Sequence, residues 1–214
     1  MSKHDKTIDA LVEDLAPVAV APRPEGLAML WLLVSLAWVV GVATVSGPVR
    51  PGALQQLVEH PRFLAEMAFG LIGITAVIFG VLRSATPGAA VRSLAWLAVV
   101  ALGLWFSNFL LGFAAPTLDS GMLGKRDHCF SETLLYAVPP FVVGAVLLRR
   151  LYPLRPVASL VGAGLASGLL PAWFMQLACM YDAAHILAHH VLPGLLLVPL
   201  AGVVALMLQR LGNR

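Results

Sequence analysis

The chain is poor in charge. Of its 214 residues only 12% are Asp, Glu, Lys or Arg, against 59% that are apolar, whereas a soluble globular domain carries about 25% charged residues. With half that complement, a water-soluble surface could not be covered, so an integral membrane protein is expected. The alternation of apolar and polar residues that marks a transmembrane barrel is missing too, and the apolar runs are continuous. Cysteine is scarce, with two residues in all, and neither CxxC nor HExxH occurs. No P-loop is present, and the polar segments are too short for a nucleotide-binding domain. No basic run is clustered with aromatics, which argues against direct contact with nucleic acid.

What is present is a set of long apolar stretches, with a mean hydropathy of +0.87 over the chain. Six are long enough to cross a bilayer as helix, which takes about 20 residues: Leu27–Val45, Leu64–Leu82, Leu94–Ala115, Phe130–Leu148, Val157–Ala178 and Ile186–Leu208. The first does not read as a cleaved signal, because the residues before it carry Asp5, Asp9, Glu13, Asp14 and Glu25 where a basic region is expected. Lysine and arginine set the orientation. With the N-terminus inside, Lys3, Lys6, Arg23, Arg83, Arg92, Arg149, Arg150, Arg155, Arg210 and Arg214 fall on the inner side, and only Arg50, Arg62, Lys125 and Arg126 on the outer one. The expected fold is all-α: a polytopic membrane bundle of six transmembrane helices with both termini cytoplasmic. It divides into a cytoplasmic segment over 1–26 and a transmembrane sensor domain over 27–214.

This topology sends the chemically active residues to one side. Cys129 and Cys179 fall at the outer mouth with His128, His185, His189 and His190. Asp182, Glu132 and Met180 stand beside them. Cys129 opens the fourth span and Cys179 closes the fifth, and a short connection makes those spans antiparallel neighbours, so both thiols are expected at one depth. A shared metal or a plain structural disulfide would fit that placement. In QLACMYDAAHILAHHVLPG, His185 and His189 are spaced i, i+4, which on a helix puts both on one face for a single ion. His190 and Asp182 are alternates or supporting acceptors. Thiolate, thioether and imidazole are soft donors that favour Cu(I) or Zn over Mg or Ca, and no organic cofactor is indicated.

Within the spans, Glu66, Asn108 and Gln176 are the conspicuous polar residues. Glu66 lies near the outer end and can reach the interface. Asn108 and Gln176 read as interhelical hydrogen-bond partners. Pro139, Pro140 and Pro171 are expected to kink the fourth and fifth spans. Gly162, Gly164 and Gly168 would let a neighbour approach the fifth closely. On the inner side, Ile8, Leu11, Val12 and Leu15 recur at i, i+3, i+4 and i+7, with Asp9, Glu13 and Asp14 on the other face and Thr7 as a candidate N-cap. Anionic lipid attracts basic helices rather than acidic ones, so this segment suits docking into a groove of another protein.

The amphipathic N-terminal segment, the six spans, GKRDHCFSETLLYAVPP (124–140) and CMYDAAHILAHHVLPG (179–194) together resemble the NrsF-type membrane anti-sigma factors of proteobacteria. The resemblance covers essentially the whole chain. The two family cysteines would map onto Cys129 and Cys179, and His128, Glu132, His185 and His189 match the polar residues around them. It implies a bacterial inner-membrane protein that holds an extracytoplasmic-function sigma factor inactive and releases it under stress, chiefly from heavy metals including copper. No enzymatic activity is expected. A thiol oxidoreductase would want a second cysteine pair to relay electrons, and a metal transporter would want ionisable residues at mid-membrane.

Overall fold

The computed structural model describes residues 3–13, 22–89, 91–118 and 121–212. These form α1 (Lys3–Glu13), α2 (Pro24–Ser46), α3 (Ala53–Glu59), α4 (Pro61–Ala85), α5 (Arg92–Gly112), α6 (Cys129–Arg149), α7 (Pro156–Ala178) and α8 (Ala183–Ile186). A π-helical turn (Leu187–Val191) then runs into α9 (Leu192–Gly212). No strand occurs among the described residues. Six helices are long and apolar enough to cross a membrane: α2, α4, α5, α6, α7 and the continuous rod Ala183–Leu211. The expected spans therefore correspond to helices, and two local differences stand out. The third ends at Gly112 rather than Ala115, and the loop after α2 folds into the short helix α3.

Proline marks where three of these helices begin. Pro24, Pro61 and Pro156 each occupy the first turn of α2, α4 and α7, where the missing N–H is not needed and the fixed φ suits the helix. Inside α6, Pro139 and Pro140 do not break the helix. Pro140 cannot donate to the carbonyl of Tyr136, four residues back, and the Trp38 indole of α2 donates to that carbonyl instead, at 3.1 Å. One turn further on, Trp31 Nε1 donates to Pro140 O at 2.8 Å. An orphan carbonyl in an apolar layer is costly, and the facing helix removes it.

The central helix is α7, whose buried residues run from Ser159 to Ala178. Its glycine face lets α9 come in to backbone contact: a Cβ on Gly168 would overlap the carbonyl of Gly194, and one on Gly164 would meet Leu197 O at 2.7 Å. Small residues drive such approach where lipid gives helices no hydrophobic reason to associate.

Connectivity sorts the helix ends. One end gathers the close of α2, α5 and α7 and the start of α4, α6 and α8. The other carries the Arg83–Glu25 ion pair at 2.5 Å and Arg149, Arg150 and Arg155. In α1, Ile8, Leu11 and Val12 are all more than half exposed, and Asp9 and Glu13 are exposed with them. The helix starts at Lys3, so Thr7 sits within it and not at its cap. Asp14 and Leu15 lie outside the described residues.

A buried thiol–imidazole group as the candidate functional site

Cys129 is the first residue of α6 and Cys179 the residue after α7. The packing of these two helices puts their sulfurs 3.1 Å apart, both buried and both free thiols. The Cys129 thiol also reaches the carbonyl of Arg126 at 3.3 Å. His185 Nε2 stands 3.4 Å from Cys179 Sγ. The ligand atoms of Cys129, Cys179, His185 and His190 all lie within 4.8 Å of one another.

His190, and not His189, completes the group. On an α-helix His185 and His189 would share a face, but Leu187–Val191 is a π turn in which Leu192 N–H donates to Leu187 O, five residues back. A wider turn swings the fifth residue round onto the face that the fourth would occupy. His190 is therefore fully buried against the thiols, while the His189 ring stacks on His185 with centroids 4.5 Å apart.

The state of His190 follows from its neighbours. Thr133 donates its one hydroxyl hydrogen to Cys129 O at 2.8 Å, so at 3.2 Å from His190 Nδ1 its oxygen can only accept. His190 then carries its proton on Nδ1. Its Nε2 keeps a lone pair, is buried, and has no hydrogen-bond partner among the described residues. A buried lone pair held beside two thiols is what a metal ligand requires, with Thr133 as its supporting acceptor. Cys179 is held well below the ordinary thiol range, chiefly by the hydrogen bond from Cys129. His185 adds to this against the opposing effect of burial. The donor set thus fits a soft ion such as Cu(I) or Zn.

A cavity of about 580 Å³ opens onto this group and is lined by Lys125, Asp127, His128, His185 and His189 among others. His128 and His189 therefore stand at its entrance. Glu132 pairs with Arg126 at 3.2 Å. Asp182 caps α8 by accepting from His185 N–H at 2.7 Å, which fixes the backbone that carries His185. Met180 lines a different cavity, with Met122 and Tyr181.

Beside the thiols lies a polar network built on Glu66 and Gln176, and Gln176 is the interhelical hydrogen-bond partner that the sequence suggested. Tyr181 donates to Glu66 at 2.6 Å. Gln176, with its amide oriented to suit both neighbours, donates to Glu66 at 2.7 Å and accepts from Trp105 at 3.0 Å. Glu66 is fully buried and does not reach an interface. Burial and the Glu66 carboxylate push the Tyr181 hydroxyl pKa up. Arg50 lies over the Phe63 and Tyr181 rings; burial works against its charge, and among the described residues one arm of its guanidinium has a hydrogen-bond partner, Gln176 O. The sequence signal for Thr133 was its place one turn after Cys129; Arg50 and Arg126 read only as loop charges.

Fold and site together define a multi-pass helical membrane protein with a buried Cys₂His₂ group at one end of the bundle. Residues 11–211 match the family model described as NrsF, negative regulator of sigma F. The chain belongs to that family, and membership makes a sigma factor the partner it regulates. No curated protein and no solved structure matches the chain.

Proposed function

We propose that this protein is an inner-membrane anti-sigma factor. In this reading it sequesters an extracytoplasmic-function sigma factor on the cytoplasmic side and releases it when the buried thiol–imidazole group takes up a soft metal ion or is oxidised. The observation that carries the reading is the convergence of Cys129, Cys179, His185 and His190 from three separate segments. The positive-inside bias supports placing this group on the periplasmic face. The exposed apolar face of α1, bordered by acids, supports α1 as the arm that grips the sigma factor.

Magnitudes favour the Cys/His group as trigger. Moving a complex from mostly bound to mostly free needs a preference of about 5.5 kcal/mol between the two states. Sites of this ligand type bind zinc with about 10–16 kcal/mol, whereas an exposed ion pair supplies about 1 kcal/mol or less. The protein acts by binding and carries out no catalysis.

The experiment is affinity purification of the full-length protein in mild detergent from its host, with and without residues 1–24, and mass spectrometry of what is bound. A small sigma factor that co-purifies, and is lost with the truncation, is the expected result. Absence of any sigma factor from the intact protein would overturn the reading.

A further inference from the structure

At the end of the bundle opposite the thiols, α6 and α9 stand apart over α7. They leave a cavity of about 660 Å³ whose walls include Val142, Val146 and Leu208. These three side chains are more than two-fifths exposed, so the cavity opens sideways, toward whatever surrounds the spans. It extends from Phe141 to Arg149 along α6, about 12 Å of helix at 1.5 Å per residue. The polar groups sit at its far end, where Arg149, Tyr152 and Gln209 line the mouth.

Charge at that mouth is of one sign. Arg149 ends α6, and Arg150 and Arg155 lie in the connection to α7. Among the described residues none of the three has a carboxylate partner: the two ion pairs present are Arg83–Glu25 and Arg126–Glu132. Tyr152, between them, adopts a left-handed backbone with φ of 52°, rare for a bulky residue, and its ring lines the mouth.

We propose that this cavity is a binding site for an anionic phospholipid of the surrounding leaflet. One acyl chain lies along the apolar wall between α6 and α9, and the phosphate rests on Arg149 within the field of Arg150 and Arg155. An apolar slot open to the side, with the Arg149 guanidinium at its polar end and Arg150 and Arg155 in the adjoining connection, matches both halves of that ligand. Basic pockets between spans are where lipid headgroups are held. The site stands independently of the sigma-factor reading. It separates the two helices that meet through Thr133 and His190 at the other end.

The test is native mass spectrometry of the full-length protein released from detergent after incubation with phosphatidylglycerol or phosphatidylcholine. The wild type should retain phosphatidylglycerol about five-fold better, the worth of one basic group near the surface. R149Q should reduce this to the phosphatidylcholine level, while A145F, which fills the slot, should lose both lipids. R92Q, on α5 at the same end, should bind as wild type, and monodispersity checks the fold of each variant. Equal retention of the two lipids, or unchanged retention in both cavity variants, would overturn the proposal. So would an R92Q loss as large as that of R149Q, because the effect would then be diffuse charge. If A145F keeps the lipid and loses a co-purifying protein instead, the cavity takes a protein segment and the lipid assignment falls.

Discussion

The Arg126 guanidinium donates to the backbone carbonyl of Ala43 at 2.6 Å, joining the segment just ahead of Cys129 to the last turn of α2. The same group reaches Gly47 O and Pro48 O, and its own carbonyl lies 3.3 Å from the Cys129 sulfur. The last carbonyls of a helix have no partner within it and carry partial negative charge, so a buried cation is well placed there. Arg126→Ala should therefore lower stability in detergent by about 3 kcal/mol, the cost of leaving buried partners bare. Glu132→Gln should cost clearly less, because the amide oxygen can still accept from Arg126 and the backbone carbonyls remain. Thermal unfolding of the two variants decides it, and similar losses would mean that the ion pair, not the carbonyls, holds Arg126.

Trp38 and Pro140 offer a cleaner separation. If the indole serves the carbonyl that Pro140 leaves free, Trp38→Phe should cost on the order of 1 kcal/mol in the native background. In Pro140→Ala, where a backbone N–H returns to Tyr136 O, it should cost almost nothing. A double-mutant cycle measures that coupling directly. Additive effects would show that Trp38 contributes packing alone.

Thr133 tests the tautomer of His190. Thr133→Val keeps the shape and removes the acceptor at Nδ1, so affinity for Cu(I) should fall about tenfold, the lower end of what losing such supporting partners costs. Thr133→Ser should retain it. Competition against a chelator of known affinity reads both. A valine variant with wild-type affinity would place the proton of His190 elsewhere.

The proton count of the thiol pair gives another outcome. Cys179 is held below the ordinary thiol range and Cys129 is pushed above it, chiefly by the hydrogen bond between them, so one hydrogen is expected on the pair at neutral pH. Ligands must be deprotonated to bind, so metal uptake at pH 7 should release one proton and not two. Above the ordinary thiol range, near pH 8.5 for a free cysteine, this number should change little, because only the Cys129 proton is left to lose. Calorimetry in two buffers of different ionisation enthalpy counts it, and a value of two would mean both thiols are neutral at rest.

The spans were legible because a bilayer demands continuous apolar length, a property of composition alone. Their alternation brought Cys129, Cys179 and the histidines to one end for the same reason. The choice between His189 and His190 was not legible, since i, i+4 spacing assumes an α-helix and the chain takes a π turn there. The outer arginines were misleading in another way. Counted as loop charges, Arg126, Arg62 and Arg50 reach back to carbonyls near the ends of α2, α5 and α7, the three helices that finish at that end. Glu66 likewise looked close to an interface by position along its helix, while its partners Tyr181 and Gln176 arrive from a segment more than a hundred residues away.

Packing predicts which helix moves if the thiol group changes. Gly168 and Gly194 bring α7 and α9 so close that neither leaves room for a Cβ, and this tight packing holds the two helices together. At the far end α6 has the cavity beside it and no such lock. A rearrangement among Cys129, Cys179, His185 and His190 should therefore swing α6 against an α7–α9 pair that stays fixed, since packed elements move as units. Spin labels introduced as non-natural residues at Val146 and Met207 should change their mean separation when Cu(I) is added, while labels at Ala158 and Met207 should not. Movement in the second pair would refute the glycine lock. Stillness in both would remove α6 as the carrier of the signal and leave the contact of Arg126 with α2 as the remaining path from Cys129 toward the N-terminal helix.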